Sequence, residues 1–161
     1  MRKPNSWFYL KTALKFTTTK LGVSHLCLVY ILFIIDTFTM ARLKTCSLNV
    51  NGLQDETKRR NIFPFLKSQD CDIFFLQEVH MANSQERAKW TSEWEGQAFW
   101  SYGSSRARGV AILFKKNFNS NFNIVHQIND TEGRILTVCI NIESVSIQLV
   151  NVYAPNQPQS E

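Results

Sequence analysis

"DIFFLQE", residues 72–78, is the stretch on which the fold turns. Four consecutive apolar residues, Ile73 to Leu76, leave no polar face, so a strand built from them needs cover on both sides. That predicts a central strand of a sheet. Glu78 then stands directly after a segment too hydrophobic for the surface, either solvated at the rim of the sheet or aimed into a site. Gln77 and His80 beside it make a denser polar cluster than a rim needs.

Working outward, "LKTCSLNV" upstream reads as another strand, ending on Asn49 and Asn51 around a valine before Gly52. Two residues apart on extended chain, those asparagines point to the same side. Asn and Gly also tolerate left-handed backbone, so turn chemistry alone explains them equally well. Residues 54–69 predict a helix with Ile62, Phe65, Leu66 and Gln69 on one face, kinked or cut short at Pro64. Downstream, "SQERAKWTSEWEG" predicts a short helix with Trp90 and Trp94 one turn apart and Gly96 at its end. Strands follow at 98–102, 109–114, 122–128, 134–142 and 145–153, the last running into Tyr153, Pro155 and Asn156. Early β and α elements followed by mostly β predict an α/β layered domain, with "SIQLVNVY", like "DIFFLQ", apolar on both faces.

The net charge of +5 is placed unevenly. Residues 1–40 hold five basic side chains against Asp36 alone, and residues 41–161 hold 13 basic and 12 acidic ones. The basic balance therefore belongs to a leader, 1–40, and says little about the partner of a domain at 41–161. Within the leader, residues 21–38 contain an apolar run from Leu26 to Ile35. Ten helical residues rise about 15 Å, half the ~30 Å core of a bilayer. The run reads as a signal-like core, a weak anchor, or a segment without function ahead of a start at Met40; the last is favoured. Cys27, Cys46, Cys71 and Cys139 have no CxxC spacing, which points to a reduced domain without structural zinc.

Three hydrophobic strands thus deliver Asn, Glu or Tyr/Asn at their ends, and strand ends meeting at one sheet edge commonly form a site. A carboxylate among neutral amides suits a hard divalent cation that keeps several waters.

"SLNVNGL", "DIFFLQEVH", "SRARGVAILF" and "NVYAPN", in that order, resemble the first half of an endonuclease/exonuclease/phosphatase domain, over about residues 42–157. Within it they look most like the apurinic-type endonucleases of non-LTR retrotransposons. The resemblance implies a two-sheet α/β sandwich, here its first half, that hydrolyses phosphodiesters with Mg²⁺ (or Mn²⁺) and acts on DNA. It implies that Glu78 is the metal ligand and that Asn49 orders metal and phosphate. Asn51 falls where some relatives place an aspartate near the metal. Tyr153 and Asn156 match residues that contact the scissile phosphate. Val79 replaces a frequent threonine. The later "GDFN" and "SDH" segments, which carry the water-positioning residues and the general-base histidine, are absent, so the resemblance implies a DNA-nicking enzyme present as a fragment inactive by itself. The alternatives are a phosphatase or RNA-cleaving member of the same superfamily, or a non-catalytic remnant that binds DNA or a membrane. Family resemblance implies a nuclear or cytoplasmic location, and a membrane one if 21–38 anchors the chain. Nothing in the residues points to an oligomer.

Overall fold

The computed structural model describes residues 43–118, 122–142 and 145–154; the expected leader at 1–40 and Asn156 lie outside them. The predicted central strand is β2, Ile73–Gln77, buried at every residue. It lies between β1 (Thr45–Asn49), which runs parallel to it, and β4 (Val110–Phe114), which runs antiparallel; β3 (Ala98–Ser101) closes the order β1-β2-β4-β3. A second, antiparallel sheet has the order β5-β6-β7, from Phe122–Asn129, Ile135–Ile142 and Val145–Val152.

The strict period of two explains why β2 must be covered twice. Phe74 and Leu76 pack with Phe63, Leu66, Trp90, Trp94 and Leu113 in a core beneath the helices. Ile73 and Phe75 face the opposite way, into a second core with Ile112, Phe114, Leu136, Val138, Ile140 and Leu149. The molecule is therefore layered as helices, mixed sheet, antiparallel sheet, the expected α/β sandwich.

α1 (Glu56–Ser68) begins on Asp55, whose side chain accepts the N–H groups of Thr57 and Lys58. The helix runs through Pro64 without stopping. Pro64 is exposed, where water can serve the carbonyl that its missing N–H leaves over. The inward face differs from the expected one: Arg59, Phe63 and Leu66 are buried, while Phe65 is 48% exposed. α2 (Ser84–Trp94) buries both tryptophans as expected, and Trp94 Nε1 donates to the Phe114 carbonyl at 2.8 Å. Its left-handed cap is Glu95 (φ 63°), one residue before the expected glycine. β7 also departs from expectation: Ile147, Leu149 and Asn151 are buried, whereas Ser146 and Gln148 are exposed. Only one face of that strand is fully covered, because its sheet has the inter-sheet core on one side.

Among the described residues no helix is long and apolar enough to cross a membrane. The described cysteines are all free. Burial first, then neighbouring Cys71, pushes the Cys46 thiol up to about 11. Alkylation goes through the thiolate. At pH 8, iodoacetamide is expected to label Cys139, on the outer face of β6, well before Cys46. Peptide mapping by mass spectrometry over time checks the order, and prior labelling of Cys46 would contradict it.

Candidate active site

Seven strand ends reach one edge of the two sheets. The loops leaving them are stitched by backbone hydrogen bonds rather than by side chains alone. Val50, Gly52 and Leu53 donate to the carbonyls of Gln77, Glu78 and Val79, at 2.9, 2.6 and 3.0 Å. On the other side, Val79 and His80 donate to Gly109 and Arg108, at 3.0 and 2.9 Å. Gly109 donates to Gly133 at 2.9 Å, and Tyr153 to Arg134 at 2.8 Å, which ties in the second sheet.

Glu78 owes its position to a slip in this pairing. Gln77 is opposite Val110, but Val79 and His80 then bond to Gly109 and Arg108. Glu78 is the extra residue of a bulge, a device that re-aims a side chain at a strand end. It adopts φ 53°, left-handed backbone that costs a non-glycine residue about 1–2 kcal/mol. The surrounding bonds hold that strain in place. His80 is also left-handed (φ 58°), and its Nε2 lies 4.0 Å from Glu78 Oε2, each side chain 14% exposed. Burial lowers the His80 pKa below the ordinary imidazole value, Lys58 lowers it further, and Glu78 partly opposes both. Near neutral pH the ring is therefore uncharged and leaves the carboxylate's charge unmatched. Gly52 (φ 83°) lets the chain pass close: a Cβ there would sit 2.8 Å from His80 Nδ1.

The asparagines lie on the loop next to that of Glu78. Asn49 Oδ1 accepts the Asn51 N–H at 3.0 Å, so the turn chemistry expected of the pair is present. Asn51 is exposed at φ 46°, and its carbonyl accepts from Lys58 Nζ at 2.7 Å. The backbone bond from Gly52 to Glu78 sets the asparagine loop beside the glutamate loop. Tyr153 reaches the same edge from β7, half-buried and packed against the inter-sheet core. Asn49, Asn51, Glu78 and Tyr153 are thus gathered at one edge.

This donor set fits Mg²⁺ or Mn²⁺. Among the described residues no Lys or Arg side chain pairs with Glu78 at short range; its carboxylate, with the amide oxygens of Asn49 and Asn51 on the adjoining loop, would suit a hard cation that keeps several waters. Among the described residues no group of three or more His, Cys, Asp or Glu side chains is placed to hold a metal ion.

Asn151 and Arg59 hold the frame around these loops, though no motif marks either. Gln77 does not face the site: its Nε2 donates to Asn151 Oδ1 at 2.8 Å. Asn151 Nδ2 in turn donates to the Leu76 and Ala111 carbonyls, at 2.9 and 2.8 Å, bolting β7 to the middle of the other sheet. Arg59, 2% exposed, donates through Nη1 to the carbonyls of Leu53 and Gln54 (2.7 and 2.8 Å) and through Nε to Glu93 (2.7 Å). It also lies over the Trp90 ring at 5.2 Å. One guanidinium thus fastens the loop that follows the asparagines to both helices. Arg59→Ala is expected to cost about 2–3 kcal/mol in urea unfolding, because Glu93 retains some water. Arg59→Lys should recover little, since an ammonium lacks the fork. Full recovery by lysine would mean that charge alone matters here.

The profile described as the Endonuclease/Exonuclease/phosphatase family matches residues 46–159. The chain is 29% identical over 113 residues to the transposon TX1 uncharacterized 149 kDa protein of Xenopus laevis, covering 70% of this chain and 8% of that protein. It is 27% identical over 116 residues to an exodeoxyribonuclease of Bacillus subtilis (strain 168), covering 71% of this chain and 43% of the enzyme. The crystal structure of AP endonuclease LMAP from Leishmania major shares its fold, with TM-score 0.56 and 21% identity over 73% of this chain and 41% of that one. The chain spans less than half the length of each of these relatives.

Proposed function

Because the chain belongs to the endonuclease/exonuclease/phosphatase family, we propose that it contributes the metal-binding half of a Mg²⁺-dependent DNA-nicking endonuclease of a retroelement. The observation that carries this reading is Glu78: a carboxylate with no close Lys or Arg partner among the described residues, set by a bulge at the end of a buried strand, 4.0 Å from the His80 ring and beside the asparagine loop. The likeness to a transposon protein favours the retroelement setting.

In this reading Glu78 holds the cation, with Asn49 and Asn51 supplying amide oxygens to it or to the phosphate. When bound, the cation polarises the phosphoryl oxygen and stabilises charge developing on it. Tyr153, with Asn156 beyond it in sequence, orients the scissile phosphate. The resemblance puts the general-base histidine in the later "SDH" segment, so His80, 4.0 Å from Glu78, is left to tune that carboxylate. The base is then supplied from outside residues 43–154, and the chain alone nicks at background level. A missing general base forfeits about 10²–10⁴-fold.

The test joins residues 41–156 to the complementary half of a relative and assays supercoiled plasmid with Mg²⁺ or with EDTA. Metal-dependent conversion to open circles is expected, with little turnover of RNA or of inositol phosphates. Preference for either of those substrates would replace the DNA reading, and nicking that persists in EDTA would remove the metal from it.

A further inference from the structure

Beside the Glu78 loop, two arginines share a single carboxylate. Glu132 Oε2 lies 3.5 Å from Arg108 Nη1 and 3.1 Å from Arg134 Nε. The Asp130 carboxylate, on the same turn as Glu132, is engaged by backbone N–H groups, so among the described side chains Glu132 alone pairs with the two guanidinium groups. The arginines come from connections in different sheets: Arg108 is the penultimate residue of the β3–β4 loop, and Arg134 ends the β5–β6 turn. That turn is held by Asp130, which accepts the N–H groups of Arg134 and Ile135, each at 2.9 Å. The Gly109-to-Gly133 bond locks loop and turn together, and Gly133 (φ 71°) is so close to Tyr102 that a Cβ would collide with its carbonyl. Each arginine's own carbonyl is fastened to the candidate site, Arg108 to the His80 N–H and Arg134 to the Tyr153 N–H.

The pairing with Glu132 is incomplete. Arg134 Nε is buried and has no aligned acceptor, despite its 3.1 Å separation from the carboxylate. Glu132 itself is 55% exposed, and ion pairs so open to water contribute little to stability. A phosphate presents acceptors in more directions than a carboxylate, and arginine forks match it well.

We propose that Arg108 and Arg134 form a seat for one backbone phosphate of a DNA strand beside the scissile bond, and that Glu132 is the built-in counterion which this phosphate displaces. The proposal rests on the nuclease reading for its choice of ligand. A merely structural ion pair differs from it in one respect: neutralising Glu132 would then bring no gain in binding.

The test measures binding of a fluorescent DNA duplex to the full chain in EDTA, across a series of KCl concentrations. Glu132→Gln is expected to tighten binding about threefold or more, because the competing charge is gone. Arg108→Gln and Arg134→Gln should each weaken it about tenfold and lower the salt slope by about 1. Arg134→Lys, which keeps the charge, should recover the slope but not the full affinity, and circular dichroism confirms that each variant is folded. In Arg108→Gln/Arg134→Gln, adding Glu132→Gln should give no further gain. Unchanged or weaker binding in Glu132→Gln overturns the proposal, as does an undetectable interaction of the parent chain with duplex. Seat variants that behave as expected beside absent metal-dependent nicking would sink the nuclease reading alone; intact nicking beside indifferent seat variants would sink the seat alone.

Discussion

Glu78→Gln is expected to lower Mg²⁺-dependent nicking by several orders of magnitude in the chain joined to its complementary half. The amide has nearly the same shape and can adopt the same left-handed backbone, so the bulge and its hydrogen bonds remain. What disappears is the negative charge that draws the cation, and with it the stabilisation of charge on the phosphoryl oxygen. Stability should stay within about 0.5 kcal/mol, since a site side chain without a strong protein partner contributes little to folding. Isothermal titration with Mg²⁺ supplies a second readout, in which the heat of binding should vanish with the activity. Near-parent nicking by a folded Glu78→Gln protein would show that the metal is held elsewhere.

Asn151→Ala is expected to have the largest effect on folding, about 3–5 kcal/mol, without touching a residue of the site. The fully buried amide satisfies two carbonyls of the mixed sheet and the Gln77 side chain. Its removal takes one hydrogen bond from each of the three at once, although Gln77 keeps Ser47 and the β2–β4 ladder keeps the carbonyls. Each bond is worth about 0.5–1.5 kcal/mol net, and the cavity left between the sheets adds to the cost. Domains keep only about 5–15 kcal/mol in hand, so thermal melts should fall by roughly 10–20 °C. The double variant Gln77→Leu/Asn151→Leu should lose less than the two single changes together, because it removes donor and acceptor at once. A loss below about 1 kcal/mol in Asn151→Ala would mean that water enters and replaces the amide.

Asn151 also marks the boundary of what sequence alone makes legible. β2 was readable because four adjacent apolar residues admit only a doubly covered strand, and Trp90 and Trp94 because one helical turn separates them. Asn151 extends the inward phase of Ile147 and Leu149, a usable signal, but a polar residue in a strand is ordinarily assigned to the solvated face. Arg59 was hidden for a related reason. It lies four residues before Phe63 and seven before Leu66, on the buried stripe, yet a pattern that counts only apolar residues rotates the helix toward Phe65. The Glu78 bulge could not be read at all: it depends on which residues of β4 lie opposite, a fact of pairing and not of local composition. Of the candidate site, Glu78, Asn49, Asn51 and Tyr153 stand out in the sequence as residues at strand ends, whereas the backbone bonds that join their loops do not.

The backbone stitching of the loops has a thermodynamic consequence for whatever binds there. Although the chain from Val50 to Leu53 and from Glu78 to His80 is irregular, its amides are engaged much as strand amides are. Its conformational entropy is surrendered when the chain folds, about 1–2 kcal/mol per residue for the backbone. A ligand that reaches this edge meets ordered loops and need not spend its own interaction energy on arranging them. Slow amide hydrogen exchange at Gly52, Leu53, Val79 and His80, matching the strand interiors, would be the signature of a site that is rigid before anything is bound.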